Sequence, residues 1–179
     1  MPGTDLRELP VKVLETERLA LRHLSNDDAG FIIDLVNQPS FLRYIGDKGV
    51  RTVADAHQYI QNGPVASYAR HGFGLYLVEL KETAAPIGIC GLIKRDSLQD
   101  VDLGFAFLPA FWSKGYAAEA AEAVLQYGRS ALGLSRIVAI TSLDNHDSMK
   151  LLRKIGFKEE SLERLSENEP VVRLFSSDP

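Results

Sequence analysis

Residues Val101 to Phe107 form a strand-like run that stops at Pro109, turns around Gly115 and enters an alanine-rich helix. The junction puts a strand and a helix next to each other in one domain. Small residues at such a turn let main-chain N–H groups approach an anion closely. The helix N-terminus adds about half a positive charge. The junction from Phe111 to Ala120 is therefore suited to a phosphate or pyrophosphate.

The flanking segments extend this reading. Arg18 to His23 alternates apolar and polar residues and predicts a first strand. Ser25 to Asp28 supplies helix-start signals for an amphipathic stretch that runs to Pro39. A second helix is expected from Thr52, interrupted at Gly63-Pro64 and resuming to about Arg70. The runs Gly74 to Leu80, Ile87 to Ile93 and Val101 to Phe107 predict an antiparallel meander.

Gly115 to Leu132 is the clearest helix, with Tyr116, Ala120, Ala123, Val124, Tyr127 and Ala131 at helical spacing. Arg136 to Thr141 is nearly all apolar, as expected of a strand buried on both faces. Asn145 fits an N-cap for a helix that Gly156 stops, and Glu159 to Leu165 and Val171 to Phe175 predict two final strands. The expected fold is α/β (α+β), with a mixed, mostly antiparallel sheet of about seven strands flanked by helices. Residues 1–14 read as an extension and residues 15–179 as a single domain.

Composition narrows the function. With 179 residues and 45% hydrophobic content, the chain can bury one real core. A net charge of -4 without a basic block argues against nucleic acid. The lone cysteine, Cys90, sits in an apolar run and reads as core. The four histidines lie far apart without metal-ligand spacing, so no metal is expected. Met1 to Leu14 has no signal-peptide core, and no segment is long enough to span a bilayer, so a cytoplasmic protein without membrane partners is expected. Other phosphate motifs fail: no P-loop occurs, and Gly72-Phe73-Gly74 has Leu77 where a dinucleotide fingerprint needs its third glycine.

Several motifs in order do match a known family. They are Thr16 to Arg22, Asp102-Leu103-Gly104-Phe105, Phe111 to Ala120, Asn145-His146-Asp147-Ser148 and Lys154-Ile155-Gly156-Phe157. From about Glu15 to Phe175 the chain resembles the GNAT superfamily of N-acetyltransferases, in the subgroup similar to ribosomal-protein N-terminal (Rim-type) acetyltransferases. Gly115 and Ala117 match the small positions of the family's Gln/Arg-x-x-Gly-x-Gly/Ala motif, with Trp112 in place of Gln/Arg.

The resemblance implies acetyl-CoA as co-substrate. Trp112, Ser113, Lys114, Gly115, Tyr116, Ala117 and Ala118 would then border its pyrophosphate, held on N–H groups from Ser113 to Ala118. Phe105 and Phe107 would be main-chain partners of the pantetheine arm, in a V-shaped slot between 101–107 and 136–141. Asn145 would touch the thiol arm, and also reads as a plain N-cap. Ser148 is carried over as a catalytic-centre contact, with an ordinary first-turn role as the alternative.

Asp102 is the candidate base, since the family often carries an acidic residue at the matching position, or else a group that orients the amine or pairs with a cation. Where many relatives carry a tyrosine acid, this chain has Leu152, which is expected only to pack. Phe41, Arg43 and Tyr44 are candidate acceptor contacts by position, with helix packing or solvation as the alternative. The expected partner is an amine-bearing small molecule or a protein N-terminus, and the protein a monomer or homodimer. A non-catalytic acyl-CoA sensor and a nucleotide-binding protein are the competing readings.

Overall fold

The computed structural model describes residues 9–178. Its eight strands are β1 (Lys12–Glu15), β2 (Leu19–Arg22), β3 (Leu75–Leu80), β4 (Pro86–Ile93), β5 (Asp102–Phe107), β6 (Ile137–Ser142), β7 (Lys158–Arg164) and β8 (Val171–Ser177). The helices are α1 (Ala29–Val36), α2 (Pro39–Tyr44), α3 (Val53–Ile60), α4 (Ala66–His71), α5 (Tyr116–Ser130) and α6 (His146–Lys154). The strands form one sheet in the order β1-β2-β3-β4-β5-β6-β8-β7. Every neighbouring pair is antiparallel except β5–β6.

Side-chain alternation divides the interior into two cores, one on each face of the sheet. On one face Tyr76, Val78, Cys90, Leu92, Leu103 and Phe107 pack against α5 and α6 through Ala120, Ala121, Val124 and Leu152. On the other, Leu77 and Ile89 pack against Ile32, Leu35, Phe41, Ala56 and Ile60. Cys90 is fully buried, and burial pushes its thiol well above the ordinary range. Helix α5 owes its alanine content to close packing: Ala120, Ala121, Val124, Leu125 and Gly128 are the buried residues. This face is rotated from the expected one, since Ala123 and Tyr127 are only half-buried and Ala131 is exposed.

Three local features differ from the sequence expectation. Lys12–Glu15 is an eighth strand, so residues 12–14 belong to the sheet and not to an extension. This edge strand has no buried residue, and pairing with β2 makes it a strand rather than apolar alternation. Residues 1–8 of the expected extension lie outside the described residues. Pro39 does not end the helical region but opens α2 at its first turn, where its missing N–H costs nothing. Gly63-Pro64 does not break the chain's helical course: a π turn over Gln61–Val65 carries α3 into α4 with Pro64 inside it.

Strand β4 approaches β3 very closely at one position. A Cβ on Gly91 would sit 2.0 Å from the Gly74 carbonyl oxygen and 2.8 Å from Leu75 Cα, both main-chain atoms that cannot step aside. Gly91→Ala is expected to destabilise the fold by about 3 kcal/mol, the upper range for overpacking. Urea unfolding checks this, and a change below about 1 kcal/mol would show that the sheet relaxes there.

Candidate active site

The site is built around a gap in the sheet. Strands β5 and β6 pair only at Asp102↔Val138 among the described residues, with Val138 N–H donating to Val101 C=O at 3.0 Å. Beyond that point they part. On its other side β5 is paired to β4 along its whole length, from Ile93↔Asp102 to Gly88↔Phe107. Leu108 N–H donates to Ile87 C=O at 2.9 Å, which fixes the phase of this ladder. Alternation then turns the main-chain groups of residues 103, 105 and 107 into the gap. The Phe107 carbonyl accepts the Trp112 indole N–H at 2.8 Å. Phe105 therefore carries the uncommitted N–H and C=O in mid-gap.

The loop after β5 makes a short 3-10 turn over Pro109–Phe111 and reaches α5 through two left-handed residues, Ser113 (φ +61°) and Gly115 (φ +82°). A serine in that region is strained, which marks the turn as held by its surroundings. The first intrahelical bond of α5 runs from Glu119 N–H to Gly115 C=O at 3.1 Å. The N–H groups of Tyr116, Ala117 and Ala118 are thus left without helical partners.

Arg18, in the turn between β1 and β2, holds this loop. Its Nη1 donates to the Lys114 carbonyl at 2.9 Å, its Nε to Glu119 at 2.7 Å, and its guanidinium lies 4.4 Å from the Tyr116 ring centre. Glu119 also accepts from the Thr16 hydroxyl at 2.5 Å and from Arg18 N–H at 2.9 Å. Burial alone would raise the Glu119 carboxyl, but these hydrogen bonds and the Arg18 charge outweigh it and hold it below the usual range. The conspicuous Thr16 to Arg22 segment thus acts as a clamp on the anion-suited turn.

A cleft of about 1300 Å³ opens from the gap. Of the expected cofactor residues, Phe105, Phe107, Trp112, Ser113, Ala117 and Asn145 border it. Lys114, Gly115, Tyr116 and Ala118 do not line it. Asn145 is an N-cap as read, its Oδ1 accepting from Ser148 N–H at 3.3 Å, and Ser148 borders the cleft as well. Leu152 is 1% exposed and packs in the core.

On the α1–α4 side, Asp102 is 1% exposed and its Oδ1 lies 3.0 Å from Arg95 Nε. Burial raises its carboxyl above the ordinary carboxylate value, and the Arg95 charge offsets only part of that. Phe41, Arg43 and Tyr44 border the same cleft. Phe41 is mostly committed to packing; Arg43 pairs with Asp144 at 2.9 Å on the surface; Tyr44 C=O accepts the Ser142 hydroxyl at 3.0 Å and ties α2 to β6.

Sequence reasoning passed over four cleft residues. Arg95 and Lys48 lie on loops, where no periodicity marks them, and Tyr59 reads as one more helix-packing aromatic. Thr141 is the fourth. It is 6% exposed, borders the cleft, and its hydroxyl has no hydrogen-bond partner among the described residues. A polar residue inside an apolar strand was the available signal.

The sequence matches the acetyltransferase (GNAT) domain family over residues 18–158. The chain belongs to the GNAT acetyltransferase family. It is an acyltransferase, and its chemistry is acetyl transfer. It is 33% identical over 154 residues to the uncharacterized N-acetyltransferase YoaA of Bacillus subtilis (strain 168), covering 85% of this chain and 86% of that one. The fold is that of an acetyltransferase from Agrobacterium tumefaciens str. C58, with TM-score 0.81 and 24% identity over 96% of both chains. It also matches RimL, a ribosomal L7/L12 α-N-protein acetyltransferase solved in complex with coenzyme A, with TM-score 0.73, 15% identity and coverage of 93% and 97%.

The Glu119 clamp has a defined pH signature. A carboxyl depressed in the folded state stabilises fully above its unfolded value of 4.5 and loses that contribution as pH falls through its lower folded value. Glu119→Gln is expected to destabilise the protein by about 2 kcal/mol at pH 7. The deficit should shrink below pH 4.5. Denaturant unfolding at both pH values checks it, and a pH-independent deficit would show that the carboxylate charge plays no part.

Proposed function

We propose that this acetyltransferase moves the acetyl group from acetyl-CoA to a primary amine by direct transfer in a ternary complex. The acceptor class is a protein N-terminal α-amine or a small-molecule amine. The observation that carries the reading is the parting of β5 and β6 beyond Asp102↔Val138, which leaves the Phe105 main chain open beside the Ser113–Ala118 turn.

The residues fit acetyl-CoA. Free N–H groups at Tyr116, Ala117 and Ala118, next to two left-handed residues, suit a pyrophosphate. The Phe105 main chain and the orphan Thr141 hydroxyl suit an amide-bearing arm lying in the gap. Acetyl-CoA supplies the activated thioester. The protein orients it, excludes water and handles the proton. An α-amine titrates near 8, so it needs modest help to lose its proton. Asp102, raised by burial, is a better base than a free carboxylate and accepts that proton directly or through water. An uncommitted N–H on β5 serves the thioester oxygen as charge develops. Ser148 or water returns a proton to the thiolate, a role that the Leu152 side chain cannot fill.

Gly115→Val forces a branched side chain into a left-handed conformation at φ +82°. Coenzyme A affinity, measured by calorimetry, is expected to fall by about tenfold or more, with a backbone strain of about 1–3 kcal/mol that leaves a cooperative fold. Unchanged affinity would move the pyrophosphate site elsewhere.

Asp102→Asn is expected to lower the transfer rate by about 100-fold, with a smaller effect on coenzyme A binding. In the parent enzyme, the base must be ionised, so activity rises as pH climbs through an Asp102 value above 3.8. The variant should lose that limb. Equal rates in a pH series would exclude Asp102 as the base.

A further inference from the structure

The acceptor side of the cleft holds more positive charge than its carboxylates neutralise. Lys48, on the loop between α2 and α3, borders it with Arg95, Tyr59 and Arg70. Arg95 is paired with Asp102. Lys48 and Arg70 make no ion pair among the described residues. Asp55 also borders the cleft, but it is spent on the α3 cap, accepting from Arg51 and Thr52 N–H at 3.0 and 2.9 Å. Asp147, at the start of α6, is the remaining carboxylate that borders the cleft, against Arg43, Lys48, Arg70, Lys94 and Arg95.

The Lys48 ammonium is exposed at the cleft, and its pKa is lowered by the desolvation of its stem and by the nearby Arg95 charge; Glu169, on the β7–β8 turn, offsets less than Arg95 adds. Arg95 also acts on the Tyr59 hydroxyl, whose burial raises it. Arg95 therefore stands among three groups: the candidate base, a second cation and an aromatic. An anion received between Lys48 and Arg95 would relieve their repulsion.

The two cores fix which face is involved. Ala106, on the same face of β5 as Asp102 and Gly104, packs with the α1–α4 side, whereas Leu103 and Phe107 pack with α5. The anion position is thus across the sheet from the Ser113–Ala118 turn, and a donor pyrophosphate does not fill it.

We propose that the acceptor is a primary amine that also bears a carboxylate, held by Lys48 with Arg95 while the amine faces Asp102. This rests on the acetyl-transfer reading above. The carboxylate belongs to a free amino acid or to an acidic side chain of an N-terminal peptide, and the chemistry is the same in both.

The test follows thiol release from acetyl-CoA by the full chain with two matched pairs of acceptors. One pair is L-alanine and L-alaninamide; the other is the amidated peptides Ser-Glu-Glu-Ala and Ser-Gln-Gln-Ala. The carboxylate-bearing member of one pair is expected to have a kcat/KM higher by about tenfold or more. The pair that responds tells the amino acid from the peptide. Lys48→Gln is expected to erase that preference through a raised KM, and Lys48→Arg to keep it. Equal use of both members of each pair overturns the inference. So does release with neutral amines such as phenethylamine but with none of the four probes, an outcome that leaves the transferase reading standing. No release with any amine overturns both.

Discussion

Strand β5 is hydrogen-bonded along its full length to β4 but, among the described residues, pairs with β6 at a single position, Asp102↔Val138. In the middle of an eight-stranded sheet this is an unusual condition. Buried main-chain groups left without partners cost about 1–3 kcal/mol each. The sheet tolerates the gap because β6 is secured from the other side by β8, over six paired positions from Ile137↔Ser177 to Ser142↔Val172. The two halves of the sheet are each complete except where they face one another. What fits between them must offer hydrogen-bonding groups along its length, as an amide-containing chain does.

The gap would be of little use without the turn beside it. Ser113 and Gly115 adopt left-handed conformations, and one of them is not a glycine. Arg18 and Thr16 supply the restraint by binding Glu119 and the Lys114 carbonyl. The edge of the sheet thus governs the start of α5, and the acidic residue in the first turn of α5 serves as an anchor for it. Its negative charge is satisfied by Arg18, which leaves the helix N-terminus open to another anion.

The opposite face has a different electrostatic character. Asp102 is buried and raised, with Arg95 as its partner, and Lys48 adds a cation that has no ion-pair partner among the described residues. The proposed base, Asp102, and the cation proposed to hold a carboxylate, Lys48, lie on one side of the sheet. The turn suited to pyrophosphate lies on the other. Donor and acceptor can therefore approach the gap from opposite faces.

The sequence by itself determined the order of elements from β2 onward, α2 apart, and the Gly115 turn, because alternation, helical spacing and glycine are read locally. It identified Asn145 as a cap and Leu152 as packing on the same grounds. It missed β1 and α2, since a four-residue edge strand and a six-residue helix are made by their neighbours rather than by propensity. It also misplaced the buried face of α5, because close packing at Gly128 overrides the simple apolar stripe. Tertiary structure alone decided that Thr16 meets Glu119 across 103 residues, that Lys48 and Arg95 share a cleft, and that the Thr141 hydroxyl is left without a partner. Periodicity says which side of an element is buried; it carries no information on which loops from distant parts of the chain converge, and convergence is what builds this site.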